Sequence, residues 1–316
     1  MSQLLNIKQA IQQAINDGPV EHLPDLQGYS GKKLIAALQR VSKTILDSNT
    51  CYLEIGVFRG LTLTSVGKVL PKEVGVYGID NFALFDKEGK NQGIINDALK
   101  KHGVTNAQLI NEDYEDALNH LEKHIGSKKV GVYFIDGPHD YRSQLMCLEL
   151  ARKHLAQGAV IFIDDSNYEH IRQANADFLA SHEEFKLIYE NYTEMHPENL
   201  KDNSSAKEGW WDGINIIVHD PNNELERKFP PTQRVRIKFE NEHMIHAMRA
   251  NALAPFSHYM LQSLLTFRFM HFARAWVLYK RQKKAYYKNG LLPKGEFINS
   301  NTFSNGLKEW MNPSIK

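Results

Sequence analysis

Between Cys51 and Asp220 the chain alternates short, nearly uninterrupted apolar runs with stretches of helical period, and this alternation constrains the fold most tightly. The runs are CYLEIG (51–56), VGVYGID (74–80), AQLIN (107–111), VGVYFID (130–136) and AVIFIDD (159–165). A strand with one wet face alternates apolar and polar residues, whereas one covered by helices on both faces reads as these do. Helices are predicted between them at about 61–70, 91–102, 114–124, 141–156 and 167–181. Two further runs, FKLIYE (185–190) and INIIVHD (214–220), are expected to pair as a hairpin around the polar insert NYTEMHPENLKDNSSAKEGWWDG. An insert of that length with no apolar period is uncommon in a compact domain unless it covers a site.

Helices are also predicted at 3–16 and 31–46, the second with Ser30 as N-cap. Beyond the sheet, Pro221 and then Pro230-Pro231 mark a boundary, QRVRIKF (233–239) alternates as a strand would, and a long helix is predicted from near Pro255. The expected division is a helical lead-in (1–50), an α/β domain (51–220) and a mainly helical extension (221–316). The net charge of +1 hides an asymmetry across that division. Residues 221–316 carry 16 Lys+Arg and 6 Asp+Glu, a net of +10, against −9 for residues 1–220. With 42% hydrophobic residues the chain is not a disordered one. Cys51 and Cys147 have no disulfide or metal-ligand spacing, and the N-terminus lacks a basic start followed by an apolar run, so a reducing, cytoplasmic setting is expected.

The first strand leads through Glu54-Ile55-Gly56-Val57-Phe58-Arg59-Gly60 into a helix. Glycine at a strand-to-helix turn permits a tight bend and close approach of a ligand to the backbone, and the helix start offers unpaired N–H groups. The second strand ends in Asp80, where a carboxylate can accept from both hydroxyls of a ribose. The Gly-x-Gly-x-x-Gly spacing that seats a pyrophosphate is missing, so a ligand with a ribose and no phosphate fits better.

EIGVFRG, GID, the DGPHDY segment and GAVIFIDD, in this order and spacing, resemble class I S-adenosylmethionine-dependent methyltransferases, in particular the branch of macrocin-type small-molecule and sugar O-methyltransferases, with a looser similarity to catechol O-methyltransferase. The resemblance covers about residues 28–220. It implies a seven-stranded Rossmann-like α/β sheet, mostly parallel with a C-terminal antiparallel hairpin. It further implies S-adenosyl-L-methionine as cofactor, bound by Glu54, Gly56, Gly60, Asp80 and Asp113. Glu112 is a rival to Asp113, and Asp113 reads equally well as the N-cap of the next helix.

Asp136 closes the fourth strand and Asp164 and Asp165 the fifth. Neighbouring strands lie ~4.8 Å apart, so the three carboxylates could share one cation. Without a cation they would repel and raise each other's pKa, and a hard divalent ion such as Mg²⁺ would resolve that conflict. Metal-dependent members of the resembled family place ligands at these strand ends, which match Asp136, Asp164 and Asp165. The competing reading is that one or two of them cap the helices starting near Tyr141 and Asn167. Methyl transfer from a sulfonium also needs the acceptor's proton removed. His139, just past the fourth strand, suits that task beside Asp136, unless it only orders the turn, and a metal-free enzyme using His139 alone is the alternative. His170 is a second candidate. Tyr29, Tyr141, Trp210 and Trp211 are expected near the same edge, as acceptor walls or as packing.

Residues 256–288 are too apolar for a freely exposed helix and too cationic for a membrane span. Leu261, Leu264, Leu265, Arg268, Phe272 and Trp276 form a stripe at helical spacing. It reads as packing on the α/β domain, as a contact in a homo-oligomer, or as an interfacial helix whose Lys280, Arg281, Lys283, Lys284 and Lys288 attract anionic head groups. The expected partner at the site is a small-molecule acceptor, with a sugar as one class. No nucleic acid is expected, because no recognised motif for it is present. A non-catalytic module anchored by the basic helix is the reading from outside enzymology.

Overall fold

The structure, a computed structural model, describes residues 3–83, 85–197, 200–232, 242–288 and 306–315. Helices α1 (Gln3–Asp17) and α2 (Lys32–Ile45) come first and pack against each other. Their buried positions, Ile7, Ala10, Ile11 and Ala14 on α1 and Leu34, Ala37, Leu38 and Val41 on α2, recur every three or four residues. Each fully buried Leu or Ile in these stripes contributes about 1.5–3 kcal/mol. The N-cap of α2 is Gly31 rather than Ser30, with no side-chain cap. Its place is set by a tertiary contact: the Gly209 carbonyl accepts from Lys33 N–H at 3.0 Å, and a Cβ on Gly31 would lie 2.2 Å from that oxygen.

The chain then alternates as the apolar runs require: β1 (Thr50–Ile55), α3 (Leu61–Val69), β2 (Gly75–Ile79), α4 (Asn91–Lys101), β3 (Ala107–Ile110), α5 (Tyr114–Asn119), α6 (Glu122–Ile125), β4 (Lys129–Ile135), α7 (Tyr141–Ala151), β5 (Leu155–Ile163) and α8 (Glu169–Ser181). The helix expected over 114–124 is thus divided between α5 and α6. The one expected over 141–156 ends at Ala151, where a 3₁₀ turn, Arg152–His154, leads directly into β5. His154 secures that turn through a ring nitrogen 2.9 Å from the Leu118 carbonyl.

Next come β6 (Phe185–Asn191), α9 (Ser204–Glu208), β7 (Ile214–His219), α10 (Glu242–Leu265), α11 (Phe269–Lys288) and β8 (Trp310–Met311). The sheet order is β3-β2-β1-β4-β5-β7-β6-β8, with β1 to β5 parallel and the last three antiparallel to their neighbours. Successive residues serve opposite faces. Tyr52, Val132, Phe134, Val160 and Phe162 pack with α1, α2 and α3, while Leu53, Tyr133, Ile135, Ile161 and Ile163 pack with α5, α7 and α8. Burial of both faces is why the runs read as continuous.

Two features at the C-terminal side depart from the sequence reading. An eighth strand, β8, returns from the extension to pair with β6, too short for any periodicity to announce it. It is held by Asn312, whose N–H donates to the Ile188 carbonyl at 2.9 Å, and by Lys228 stacked 3.9 Å over the Trp310 ring. The helix predicted from near Pro255 begins at Glu242, runs through Pro255 and stops at Leu265, so the stripe from Leu261 to Trp276 is split over two helices that pack as a hairpin. The stop is a Schellman turn: Phe267 adopts φ +55°, its N–H donates to the Leu264 carbonyl at 3.1 Å, and Arg268 N–H donates to the Ser263 carbonyl at 2.8 Å. Phenylalanine stands where glycine usually gives this signal. The strand expected at 233–239 lies outside the described residues.

The chain leaves β1 toward β2 and β3, then returns to β4 on the other side of β1. Connections diverge there, at the carboxyl ends of β1 and β4, the switch point where open α/β sheets receive ligands.

Candidate functional site

Gly56 leaves β1 at φ +85°, and a Cβ on it would lie 1.8 Å from the Asp136 carbonyl oxygen at the end of β4. Only glycine lets the two strand ends approach this closely. Gly60, at φ +79°, is the N-cap of α3. The intervening turn is held by Asp80 at the end of the neighbouring β2: one carboxylate oxygen accepts from the N–H groups of Val57 and Phe58, both at 2.9 Å, and the other from Phe82 N–H at 2.8 Å. Asp80 therefore fixes the glycine loop from the adjacent strand end and keeps lone pairs beyond those three bonds.

Glu54 lies beneath the loop, fully buried. Tyr52 Oη donates to one of its oxygens at 2.7 Å and Thr62 Oγ1 to the other at 3.2 Å. Burial pushes its pKa up to about 8, so near neutral pH it is a protonated strut between β1 and α3 rather than a group facing a ligand. Asp113 is exposed and caps α5, accepting from Glu115 N–H at 2.9 Å, while its other oxygen accepts from Asn81 at 3.4 Å, next to Asp80. Glu112 turns to His124 at 3.4 Å.

The carboxyl ends of β4 and β5 bring together Asp136, His139 and Asp165, whose candidate ligand atoms all lie within 4.8 Å of one another. His139 Nδ1 is 3.1 Å from Asp165 Oδ2, and its ring stacks on Tyr168 at 5.7 Å with an interplanar angle of 1°. Desolvation holds the His139 pKa below its ordinary value, opposed by the charges of Asp136 and Asp140. Burial lifts Asp136 to about 7, helped by repulsion from Asp165, and burial lifts Asp165 to about 7. Asp164 falls outside this group. It is turned back on its own turn, where Oδ1 accepts from Asp165 N–H at 3.0 Å, and burial raises it well above the carboxylate range. Asp165 stands at φ +51°, which throws consecutive carboxylates in different directions. Two carboxylates and one imidazole suit a borderline divalent cation better than Mg²⁺, which prefers oxygen alone.

His170 is fully buried, with a ring nitrogen 2.8 Å from the His139 carbonyl, and burial pushes its pKa down to about 4. It braces the His139 turn. Three groups went unnoticed in the sequence. Tyr168 is the stacking partner. His196 comes from the insert, its pKa pushed down to about 4 by burial and then by His139. Asp212 is fully buried with Oδ2 unpartnered, and is raised by burial and then by Asp165. Asp212 was findable: an antiparallel β7 must start at the edge where the parallel strands end.

The insert between β6 and β7 crosses this edge. Asn167 Nδ2 donates to Thr193 at 2.8 Å, Ser166 N–H donates to the Gly213 carbonyl at 3.3 Å, and Lys32 pairs with Glu208 at 2.5 Å. Trp211 and Tyr29 meet at 5.8 Å, and Tyr29 stacks on Phe58 of the glycine loop at 5.4 Å, giving an aromatic wall with Tyr29 exposed. Trp210 instead packs under the sheet edge against Tyr189, and Tyr141 Oη donates to Asp177 on α8, so neither belongs to that wall.

Residues 53–166 match the family model described as a methyltransferase domain. Among solved structures, the chain is similar to an O-methyltransferase from Bacillus cereus in complex with SAH, at 15% identity over 70% of this chain and 91% of that one, TM-score 0.46. It is likewise similar to an O-methyltransferase from Streptomyces achromogenes involved in tomaymycin synthesis, in complex with SAM, at 17% identity over 70% and 91%, TM-score 0.46. A TDP-rhamnose 3'-O-methyltransferase of calicheamicin biosynthesis is similar at 16% identity over 55% and 84%, TM-score 0.41. No curated protein matched the sequence.

Proposed function

We propose, for a chain whose residues 53–166 carry a class I S-adenosylmethionine-dependent methyltransferase domain, that it methylates a hydroxyl of a small molecule, with sugars as one acceptor class. The observation that carries this reading is the Asp165–His139 pair, at 3.1 Å, beside the glycine loop at the sheet's switch point. Asp165 engages Nδ1 and leaves Nε2 as the proton acceptor. Because the His139 pKa lies below its ordinary value, the ring is neutral near pH 7 and able to take a proton. The acceptor oxygen forms a bond to the methyl carbon, the carbon–sulfur bond breaks with its electron pair going to sulfur, and the hydroxyl proton passes to His139 Nε2. The loop from Gly56 to Gly60, with Asp80 and Asp113, would hold the cofactor; Glu54 would keep the loop in place from below. The wall of Tyr29, Phe58 and Trp211 would exclude water and take an apolar or sugar face of the acceptor.

A second reading, cation assistance, is favoured by the close grouping of Asp136, His139 and Asp165 and by the raised pKa of both carboxylates. A bound divalent cation would lower the pKa of a coordinated hydroxyl. Asp136, Asp165 and His139 would hold it, with Asp164 and Asp212 bracing the turns. On this reading the chain divides into a lead-in (1–50), the catalytic domain (51–220) and an extension (221–316), working in the cytoplasm.

The test supplies methyl-labelled S-adenosylmethionine with a panel of sugars, catechols and other hydroxylated small molecules. Label transfer that falls at least 100-fold in His139→Ala, within the usual range for loss of a general base, supports the reading. Transfer unchanged in His139→Ala overturns His139 as base, and transfer indifferent to EDTA and to Asp136→Asn overturns the cation.

A further inference from the structure

From residue 243 to 295 the sequence holds no aspartate or glutamate and nine lysines and arginines, and that stretch takes in all of the α10–α11 hairpin but its first residue, Glu242. Its two helices pack on each other, with Met260, Ser263 and Ala275 buried. Its tip is apolar and open: Leu265 is 70% exposed, Phe267 78% and Met270 75%, with Leu264 and Phe269 also exposed. An apolar cluster of this kind on an exposed surface marks an interaction site.

The outward face of α11 changes character along its axis. Phe269 and Met270 are exposed near the tip, Arg274 and Val277 midway, and Lys280, Arg281 and Lys284 further on. At 1.5 Å per residue, the step from Phe269 to Lys280 is about 16 Å. Between the two regions, Trp276 stacks on Phe272 and on Tyr279, and the Lys280 ammonium lies 5.0 Å over the Trp276 ring. Apolar tip, aromatic middle and cationic base form the sequence of environments met on passing from acyl chains through the interface to anionic head groups. No described helix is long and apolar enough to cross a membrane, and Arg268 at the tip limits depth by its cost in hydrocarbon.

We infer that the α10–α11 hairpin docks on an anionic lipid bilayer, entering the head-group boundary obliquely by its tip while Lys280, Arg281 and Lys284 engage lipid phosphates. A second copy of this chain offers little matching charge on the hairpin itself, since Glu242, at the start of α10, is its sole acid against eight lysines and arginines, and two such hairpins repel. Polyanionic RNA would meet the cations but leave Leu265, Phe267 and Met270 in water. The inference is independent of the methyl-transfer reading and is read out without catalysis.

The experiment is co-sedimentation of the full chain with vesicles of phosphatidylcholine alone or with 30% phosphatidylglycerol, an amount on the order of the anionic content that gives a membrane surface its negative potential. The docking account expects binding to the anionic vesicles only, weakening with salt. It expects a loss of at least 10-fold in Leu265→Ser/Phe269→Ser/Met270→Ser and in Lys280→Glu/Lys284→Glu. All five positions are exposed, so thermal unfolding stays as in the parent chain and separates lost docking from lost folding. Failure to bind anionic vesicles, binding that ignores the tip substitutions, or a stable dimer dispersed by them would each overturn the inference. So would preferential capture of a single-stranded oligonucleotide over anionic vesicles.

Discussion

His139 Nδ1 lies 3.1 Å from Asp165 Oδ2, joining the turn after β4 to the turn after β5 across adjacent parallel strands. The pair engages Nδ1 and leaves Nε2 outside that contact. Because Asp165 titrates at about 7 and the His139 pKa is held below its ordinary value, the methyl-transfer rate should fall first as pH drops through about 7 and the orienting anion is lost, and again as it drops through the lowered His139 pKa. Asp165→Asn removes the anion that favours the correct tautomer and should lower kcat with little change in cofactor affinity. A pH–rate profile of both proteins checks this.

The same carboxylates carry a stability consequence. Asp136 and Asp165 titrate near 7 in the folded chain and near 4 when unfolded, so between those values the folded state holds protons that the unfolded state releases. Stability should therefore fall as pH rises from about 4 to about 7. Asp165→Asn, in a left-handed position that asparagine tolerates, should flatten that slope and raise stability at pH 8 by about 1 kcal/mol or more. Thermal unfolding at pH 5 and pH 8 measures it. A divalent cation bound at the cluster should raise the pH 8 unfolding temperature of the parent chain and not of the variant.

Glu54 gives a contrast between isosteres. Near neutral pH its carboxyl is protonated, so Glu54→Gln should be almost neutral there and gain on the parent chain above pH 8, where the parent must bury a charge. Glu54→Ala leaves Tyr52 Oη and Thr62 Oγ1 without their acceptor and should cost about 1–3 kcal/mol. Chemical denaturation of the three proteins resolves the order.

Two glycines should respond in opposite directions to alanine. Gly56→Ala puts a Cβ against the Asp136 carbonyl at a positive φ and should abolish cofactor binding together with much of the stability. Gly93, in α4 with open space around it, should gain about 0.5–1 kcal/mol as alanine. Unfolding midpoints of the pair distinguish a required glycine from a tolerated one.

The parallel strands, the hairpin of β6 and β7 and the turns bearing Gly56, Asp80 and Asp136 were legible because burial of both sheet faces writes itself into continuous apolar runs ending at one edge. The direction of side chains leaving that edge was not. Asp164 and Asp165 are adjacent in sequence, and only the left-handed turn at Asp165 sends one to His139 and the other back to a backbone N–H. The N-cap of α2 moved from Ser30 to Gly31 because a carbonyl 178 residues away, that of Gly209, occupies the helix start. His196 was hidden in a polar insert with no pattern, and the break at Phe267 lacks the glycine that would have flagged it. Such features depend on contacts distant in sequence, which local propensity does not record.

The most direct test of cofactor use is calorimetric titration with S-adenosylhomocysteine of the parent chain and of Asp80→Asn, whose one amide oxygen still accepts from the Val57 and Phe58 N–H groups while its NH2 gives up the bond from Phe82 N–H. One site per chain is predicted for the parent and at least a 10-fold loss of affinity for the variant, measured at a temperature where thermal unfolding shows both proteins folded. Absence of binding to the parent, or equal affinity in the two proteins, would contradict this.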